Sequence, residues 1–267
     1  NPDFTATITG FANGENNAAL SGSAALSTTA TATSNVGTYT ITTAAGTLAA
    51  TNYDFTFSNG TLTVNKAALT VVADNKARTY GAANPTLTAT LSGFVNNETA
   101  SVVTGAATLS TTATQTSNAG TYAITVATGT LAATNYNFTL SDGTLTINKA
   151  HLTVTADDKS RQYGSANPAF TATITGFVNG ETSVVVNGAA ALSTTATTSS
   201  PASTYAITAA AGTLAATNYD FTFVNGTLTV GKATLTVMAE NKTKVFGAAL
   251  PDFTYKFTGF LNGDTAS

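Results

Sequence analysis

The sequence predicts an all-β protein: a tandem array of small Ig-like modules, or alternatively β-grasp-like ones, lined up as an elongated rod. An exact internal period, short runs that alternate apolar and hydroxyl residues, and turn residues between those runs carry this expectation. NPDFTAT at Asn1 returns as NPTLTAT at Asn84 and NPAFTAT at Asn167. LTVVAD at Leu69 returns as LTVTAD at Leu152 and LTVMAE at Leu235, and every offset is 83. A period kept without insertion marks copies of one folding unit rather than a shared compositional bias.

Boundaries placed after Lys66-Ala67, Lys149-Ala150 and Lys232-Ala233 divide the chain into four stretches. Residues 1–67 form a module lacking its first strand, 68–150 and 151–233 are complete modules, and 234–267 is the opening part of a further one. Asn1 is equivalent to Leu250, so the strand absent from the first module corresponds to the sequence from Thr234 to Ala249. Two arrangements fit. The simpler is an excerpt from a longer array; the other is a self-assembling filament subunit, whose tail strand enters the first module of the next copy by donor-strand pairing. Leu235, Val237 and Ala239 are the assembly residues of that second arrangement.

Within the third module, Leu152 to Ala156 reads as the first strand and Ala169 to Thr175 as the second, ended by the turn Gly176-Phe-Val-Asn-Gly180. Glu181 to Val186 suits either a short helical turn or a strand, because its β-branched residues oppose helix while its place after a turn permits one. Thr204 to Thr208 is a further strand. Tyr219, Phe221 and Phe223 then alternate with polar residues, Asn225-Gly226 intervenes, and Leu228 and Val230 alternate with threonines. That pattern predicts a hairpin closed by a type I′ turn, with Asn59-Gly60 and Asp142-Gly143 in the same role in the first two modules. Its register sets Phe57 opposite Leu62, Phe55 opposite Val64 and Thr56 opposite Thr63, apolar pairs to the core and threonines to water. The joint around Asn65 to Ala68 is short and free of Gly and Pro, hence stiff. Leu62 and Leu69 are an odd number of residues apart, so the chain must change sheet or core there.

Charged residues make up 9% of the chain, its net charge is −3, and it has no Cys, no Trp and one His. No basic cluster can neutralise phosphates, which excludes nucleic acid as a partner, and no run approaches the roughly 20 apolar residues of a membrane span. His151 is the only imidazole and reads as a solvated strand-start residue, so neither a hydrolase triad nor a zinc site can be built, and the chain reads as no enzyme. Calcium is the one cofactor the side chains suggest. Asp74, Asp157, Asp158 and Glu240 recur after the first strand as candidate ligands, and Glu15, Glu98, Glu181 and Asp264 recur after the Asn-rich turn. Two carboxylates per module are few for a hard cation, and Asp and Asn suit strand ends and turns on their own account. Isopeptide cross-links through Lys66, Lys149 or Lys232 would need buried lysines, which joint positions seldom supply. The sequons at Asn97 and Asn137 carry little weight in so Thr-rich a chain. Exposed rows such as Thr56, Thr139 and Thr222 offer a flat hydroxyl surface for a glycan, host or abiotic surface. The other expected partners are neighbouring repeats or copies of the chain itself.

ADDKSRQYG and ANP from Ala156 to Pro168, TGFVNGET at Thr175, TYAIT at Thr204 and ATNYDFTFVNGTLTV at Ala216 together resemble the MBG-type domain (YGX type) of bacterial surface adhesins and filamentous-haemagglutinin-like proteins. The resemblance covers the whole chain. It implies an extracellular, bacterial cell-surface location, a structural stalk or adhesive role, and no catalytic activity. Phe246 in place of the motif Tyr, and Ser203 where Gly37 and Gly120 stand, depart from the pattern.

Overall fold

The computed structural model describes residues 1–266. The chain forms two compact units, one of Asn1–Lys76, Pro85–Thr112 and Tyr122–Leu145, the other of Ala77–Asn84, Ala113–Thr121 and everything described from Thr146 onward. Among the described residues all regular structure is strand, apart from the single 3-10 turns Asn17–Ala19, Ala100–Val102 and Ser183–Val185. The ambiguous segment after Glu181 is therefore the third of these turns.

The third copy, wholly in the second unit, shows the complete pattern. Its strands are β13 (Ala150–Ala156), β14 (Lys159–Gln162), β15 (Ala172–Thr175), β16 (Ala191–Ser193), β17 (Ser203–Ala210), β18 (Tyr219–Val224) and β19 (Gly226–Gly231). One sheet has the order β15-β13-β18, the other β14-β19-β17-β16. Leu152 and Val154 alternate with threonines on β13 and are fully buried. Ala156, Ile207, Leu228 and Val230 form the core, with Phe170, Leu192, Tyr205 and Phe223 packed against it. The first strand is split at Asp157-Asp158, so one stretch of chain serves both sheets, β13 parallel to β18 and β14 parallel to β19.

Beside that split Arg161 is 9% exposed and its guanidinium has no carboxylate partner among the described contacts. Neutral acceptors satisfy it instead: Nε donates to Asn167 Oδ1 at 2.7 Å, and the two terminal nitrogens donate to the carbonyls of Gln162 and Thr197. Asn167 also donates to Ala196 O at 2.7 Å. The recurrent Asn-Pro thus holds a buried arginine, and Arg78 and Asn84 repeat the arrangement.

The second copy supplies β6 (Ala67–Ala73), β7 (Lys76–Thr79), β8 (Ala89–Ser92), β9 (Thr108–Ser110), β10 (Gly120–Ala127), β11 (Tyr136–Ser141) and β12 (Gly143–Asn148). They follow the same orders, β11-β6-β8 and β7-β12-β10-β9. The first copy has β1 (Leu20–Ser21) paired with β4 (Ala49–Ala50), and a sheet of β2 (Ala25–Ser27), β3 (Gly37–Ala44) and β5 (Gly60–Val64). Among its described residues the last stretch has only β20 (Thr236–Ala239) paired with β21 (Tyr255–Thr258). As expected, the chain changes sheet at the joint: β5 belongs to β2-β3-β5 and β6 to β11-β6-β8.

The predicted hairpin does not form. β18 and β19 lie in different sheets, so Phe57 does not face Leu62, nor Phe55 Val64, nor Thr56 Thr63; Leu62 instead pairs with Tyr39, and Thr63 with Thr38. Asn225-Gly226 is a corner between sheets. The Asn225 carboxamide accepts the Ala209 N–H at 3.0 Å, and a Cβ on Gly226 would lie 2.4 Å from the Ala156 carbonyl oxygen. Glycine is needed there for close backbone approach rather than for a left-handed turn.

Candidate functional site: the joint between copies

The left-handed Asn-Gly pair is the other one, at Asn179 (φ 56) and Gly180 (φ 73). The Glu181 N–H donates to Val178 O at 3.0 Å across this turn, and both central residues have the positive φ that a type I′ turn demands. The turn delivers the Glu181 carboxylate to two phenols. Tyr219 of the same copy donates to Glu181 and accepts the Val178 N–H at 3.1 Å. Tyr80 of the preceding copy donates to the other carboxylate oxygen at 2.8 Å. The two rings meet edge to face with centroids 5.6 Å apart. Gly81 (φ +83) lets Val178 seat against it, since a Cβ would come within 2.5 Å of a Val178 methyl. Each half of the Tyr-Gly motif therefore has a task at the joint.

Asn218 completes the contact. Its Oδ1 accepts the Ala119 N–H at 2.9 Å, its Nδ2 donates to Asn118 Oδ1 at 3.0 Å, and its backbone carbonyl accepts the Ala150 N–H at 2.9 Å. Lys149 adds a bond from Nζ to Ala216 O at 3.1 Å. In the first unit the Asn, Lys and own-copy Tyr bonds recur, without a tyrosine from the preceding copy. Asn135 accepts the Val36 N–H at 3.0 Å and donates to Asn35 Oδ1 at 2.9 Å, Lys66 reaches Ala133 O at 3.1 Å, and Tyr136 donates to Glu98 while accepting the Val95 N–H at 3.0 Å. In both joints the Asn-Tyr of TLAATNY supplies the bonds: Asn reaches the preceding copy and Tyr clamps its own turn.

Burial, and then the bond to Glu181, push the Tyr219 phenol up to about 12; Tyr80 is raised for the same reasons. The Tyr136 phenol is raised chiefly by its bond to Glu98. These groups stay protonated and donate, and nothing about them supplies a base or a nucleophile at neutral pH.

The carboxylates proposed for calcium are engaged locally. Asp74 accepts from the hydroxyls of Thr88 and, at 2.7 Å, Thr90; Asp157 accepts from those of Thr171 and, at 2.8 Å, Thr173. Those bonds hold both carboxyls below the usual range, and the Thr254 hydroxyl lowers Glu240 likewise. Asp158 accepts the Thr227 N–H at 2.6 Å. Among the described residues no three His, Cys, Asp or Glu gather into a possible metal group. Of the assembly residues, Val237 and Ala239 lie on β20 opposite Phe257 and Tyr255, and Leu235 just before it; Leu235 is 46% exposed and Val237 59%. His151 is an exposed residue of β13, in register with Asp220. Lys66 and Lys149 bond to backbone carbonyls at the joints.

The sequence showed Glu98 and Glu181 recurring, but their use as tyrosine acceptors, Glu98 for Tyr136 and Glu181 for tyrosines of two copies, escaped it. The usable signal was the shared period of that Glu, the Tyr-Gly and the Asn-Tyr.

None of the curated proteins compared with the chain matches it. Among protein families, the MBG domain (YGX type) matches residues 1–63, 69–146, 152–229 and 235–267. The chain belongs to the MBG domain (YGX type) family, as a tandem array of four repeats.

Proposed function

We propose that the chain is a stalk segment of a large bacterial cell-surface or secreted adhesin, a stiff spacer whose exposed hydroxyl faces touch a surface or glycan. Domains of this family occur in bacterial surface proteins, and no described helix is long and apolar enough to cross a membrane. The observation that supports the spacer role is the joint: side chains, not only chain connectivity, tie the first copy to the second through Asn135 and the second to the third through Asn218. In an array of this kind, stability and stiffness come from nearest-neighbour terms. Small-angle scattering of the wild type and of an Asn135→Ala/Asn218→Ala variant tests it. The expected result is a wider spread of dimensions in the variant, and identical profiles would refute the spacer reading. Loss of surface attachment on replacing Thr139 and Thr222 with Lys would support the adhesive part.

A second reading is the donor-strand filament. Its support is a cleft of about 430 Å³ in the first copy, lined among others by Ile8, Leu26, Ile41, Phe55 and Phe57, where a complete copy holds its central strand. Leu235 and Val237 have the alternation such a cleft accepts. Deleting residues 234–249 should reduce a donor-strand polymer to monomers and leave the mass of a spacer segment otherwise unchanged.

A further inference from the structure

The groups of the second copy that meet the Asn218-Tyr219 segment have counterparts one period later, in the third copy. Tyr80 packs on Tyr219, the Ala119 N–H donates to Asn218 Oδ1, the Ala150 N–H donates to Asn218 O, and Lys149 Nζ donates to Ala216 O. The counterparts are Tyr163, Ala202, Ala233 and Lys232. These four line one cavity of about 760 Å³, closed on its other side by Phe260, Leu261 and Asp264. Among the described contacts the Ala202 and Ala233 N–H groups, the Lys232 ammonium and the Tyr163 hydroxyl have no hydrogen-bond partner. The first copy carries the complementary half of a joint. Ala50, Asn52 and Tyr53 correspond to Ala216, Asn218 and Tyr219, and Asn52 is exposed and unbonded among the described contacts, whereas Asn135 and Asn218 each bond to the copy before them.

We propose that this cavity is the docking site for a second copy of the chain, which enters with Asn52-Tyr53 of its first module. The occupant follows from the other two joints, where the same sequence Ala-Thr-Asn-Tyr fills the same place. Tyr53 is bound to Glu15 and meets Phe11 edge to face, as Tyr219 is bound to Glu181 and meets Phe177. It therefore arrives with that turn, which takes the place of Phe260 to Asp264 and sets the Glu15 carboxylate before the Tyr163 hydroxyl, as Glu181 stands before Tyr80. Asn52 then accepts the Ala202 N–H on its carboxamide and the Ala233 N–H on its backbone carbonyl, and the Ala50 carbonyl accepts from Lys232. The last stretch is placed to give way, since β20 and β21 pair only with each other and Leu235, Val237 and Tyr255 are exposed. One contact is not reproduced. Pro201 stands where Asn118 accepts from Asn218, so the docked joint has one hydrogen bond fewer than the covalent one and opens more readily. The inference rests on the filament reading, in which β20 enters the first module of the next copy, and it adds the side-chain contact that orients that module.

Amide hydrogen exchange of the full chain over a concentration series, with sedimentation velocity on the same samples, tests the proposal. In the wild type, protection of the Ala202 and Ala233 amides should rise in step with the assembled fraction. Asn52→Ala changes an exposed residue that bonds to nothing described in its own chain, so its thermal melt should match the wild type. It should abolish the gain in protection at Ala202 and weaken assembly by about fivefold, the worth of one net hydrogen bond. Lys232→Ala, on the other side of the contact, should weaken assembly at least as much. Wild-type chains that assemble while Ala202 and Ala233 exchange as freely as in the monomer, or an Asn52→Ala chain that keeps the protection at Ala202, would overturn this docking site and leave the filament reading standing. Chains that stay monomeric at every concentration would overturn both.

Discussion

Tyr-Asp-Phe-Thr-Phe occurs twice with the same letters and two outcomes. At Tyr219 to Phe223 it lies along β13 as β18, with Tyr219 2% exposed. At Tyr53 to Phe57 it forms no strand, and Phe57 is 42% exposed. Leu-Thr-Val behaves alike: Leu152 and Val154 are fully buried, whereas Leu235 and Val237 are largely exposed. β-propensity is equal within each pair, so the difference lies in the neighbours. The first run has no parallel strand beside it, and β20 has only β21. Strand formation here is a property of paired segments, not of the segment alone.

The largest contrast should come from truncating the repeated leucine. Leu152→Ala removes a fully buried side chain from the middle of a sheet and should cost about 2–5 kcal/mol. Leu235→Ala, at an exposed equivalent position, should change stability by no more than about 0.5 kcal/mol. Urea unfolding followed by tyrosine fluorescence measures both, and equal effects would break the comparison.

Next is the joint tyrosine. Tyr219→Phe strips Glu181 of one phenol and leaves the Val178 N–H without its acceptor, at a cost of about 1–2 kcal/mol. Tyr53→Phe should cost less, because Tyr53 is only half-buried and water can replace its hydroxyl.

A pH effect follows from the same residue. The folded Tyr219 phenol titrates at about 12 against an ordinary 10, so the folded state holds the proton more tightly than the unfolded one. The resulting stability is fully present below pH 10 and is lost as pH rises toward about 12. Unfolding curves across that window should show the decline, and Tyr219→Phe should flatten it.

The smallest effect is expected at the turn. Asn96 and Asn97 both have positive φ where the third copy has Asn179-Gly180. Asn97→Gly relieves a left-handed residue but adds freedom to the unfolded chain, for a net gain of about 0.5 kcal/mol. The reverse change, Gly180→Asn, should lose a similar amount, and thermal melts of the two variants resolve the sign.

Much of the fold was legible because the period and the two-residue alternation are direct records of stacking and burial. The buried rows Leu152/Val154 and Leu228/Val230, the Ala172–Thr175 part of the strand expected over Ala169 to Thr175, and the sheet change at Asn65 to Ala68 could be read that way, whereas the short strand Lys159–Gln162 could not. What failed was the Asn225-Gly226 corner. Asn-Gly suits a left-handed turn and also a close approach to a neighbouring backbone, and only the Ala156 carbonyl, far away in sequence, decides between them. The joint was hidden for a related reason. Asn218 and Asn118 are 100 residues apart, and local pattern carries no record of which acceptor meets which donor.

Hydrogen exchange at the Ala119 amide tests most directly whether neighbouring copies are locked by side chains. That N–H donates to Asn218 of the next copy and to nothing else described. It should be protected in the wild type and lose protection in Asn218→Ala, while the buried β10 residue Ile124 keeps its own. An Ala119 amide that exchanges freely in the wild type, or one that Asn218→Ala leaves unchanged, would contradict a side-chain lock between copies.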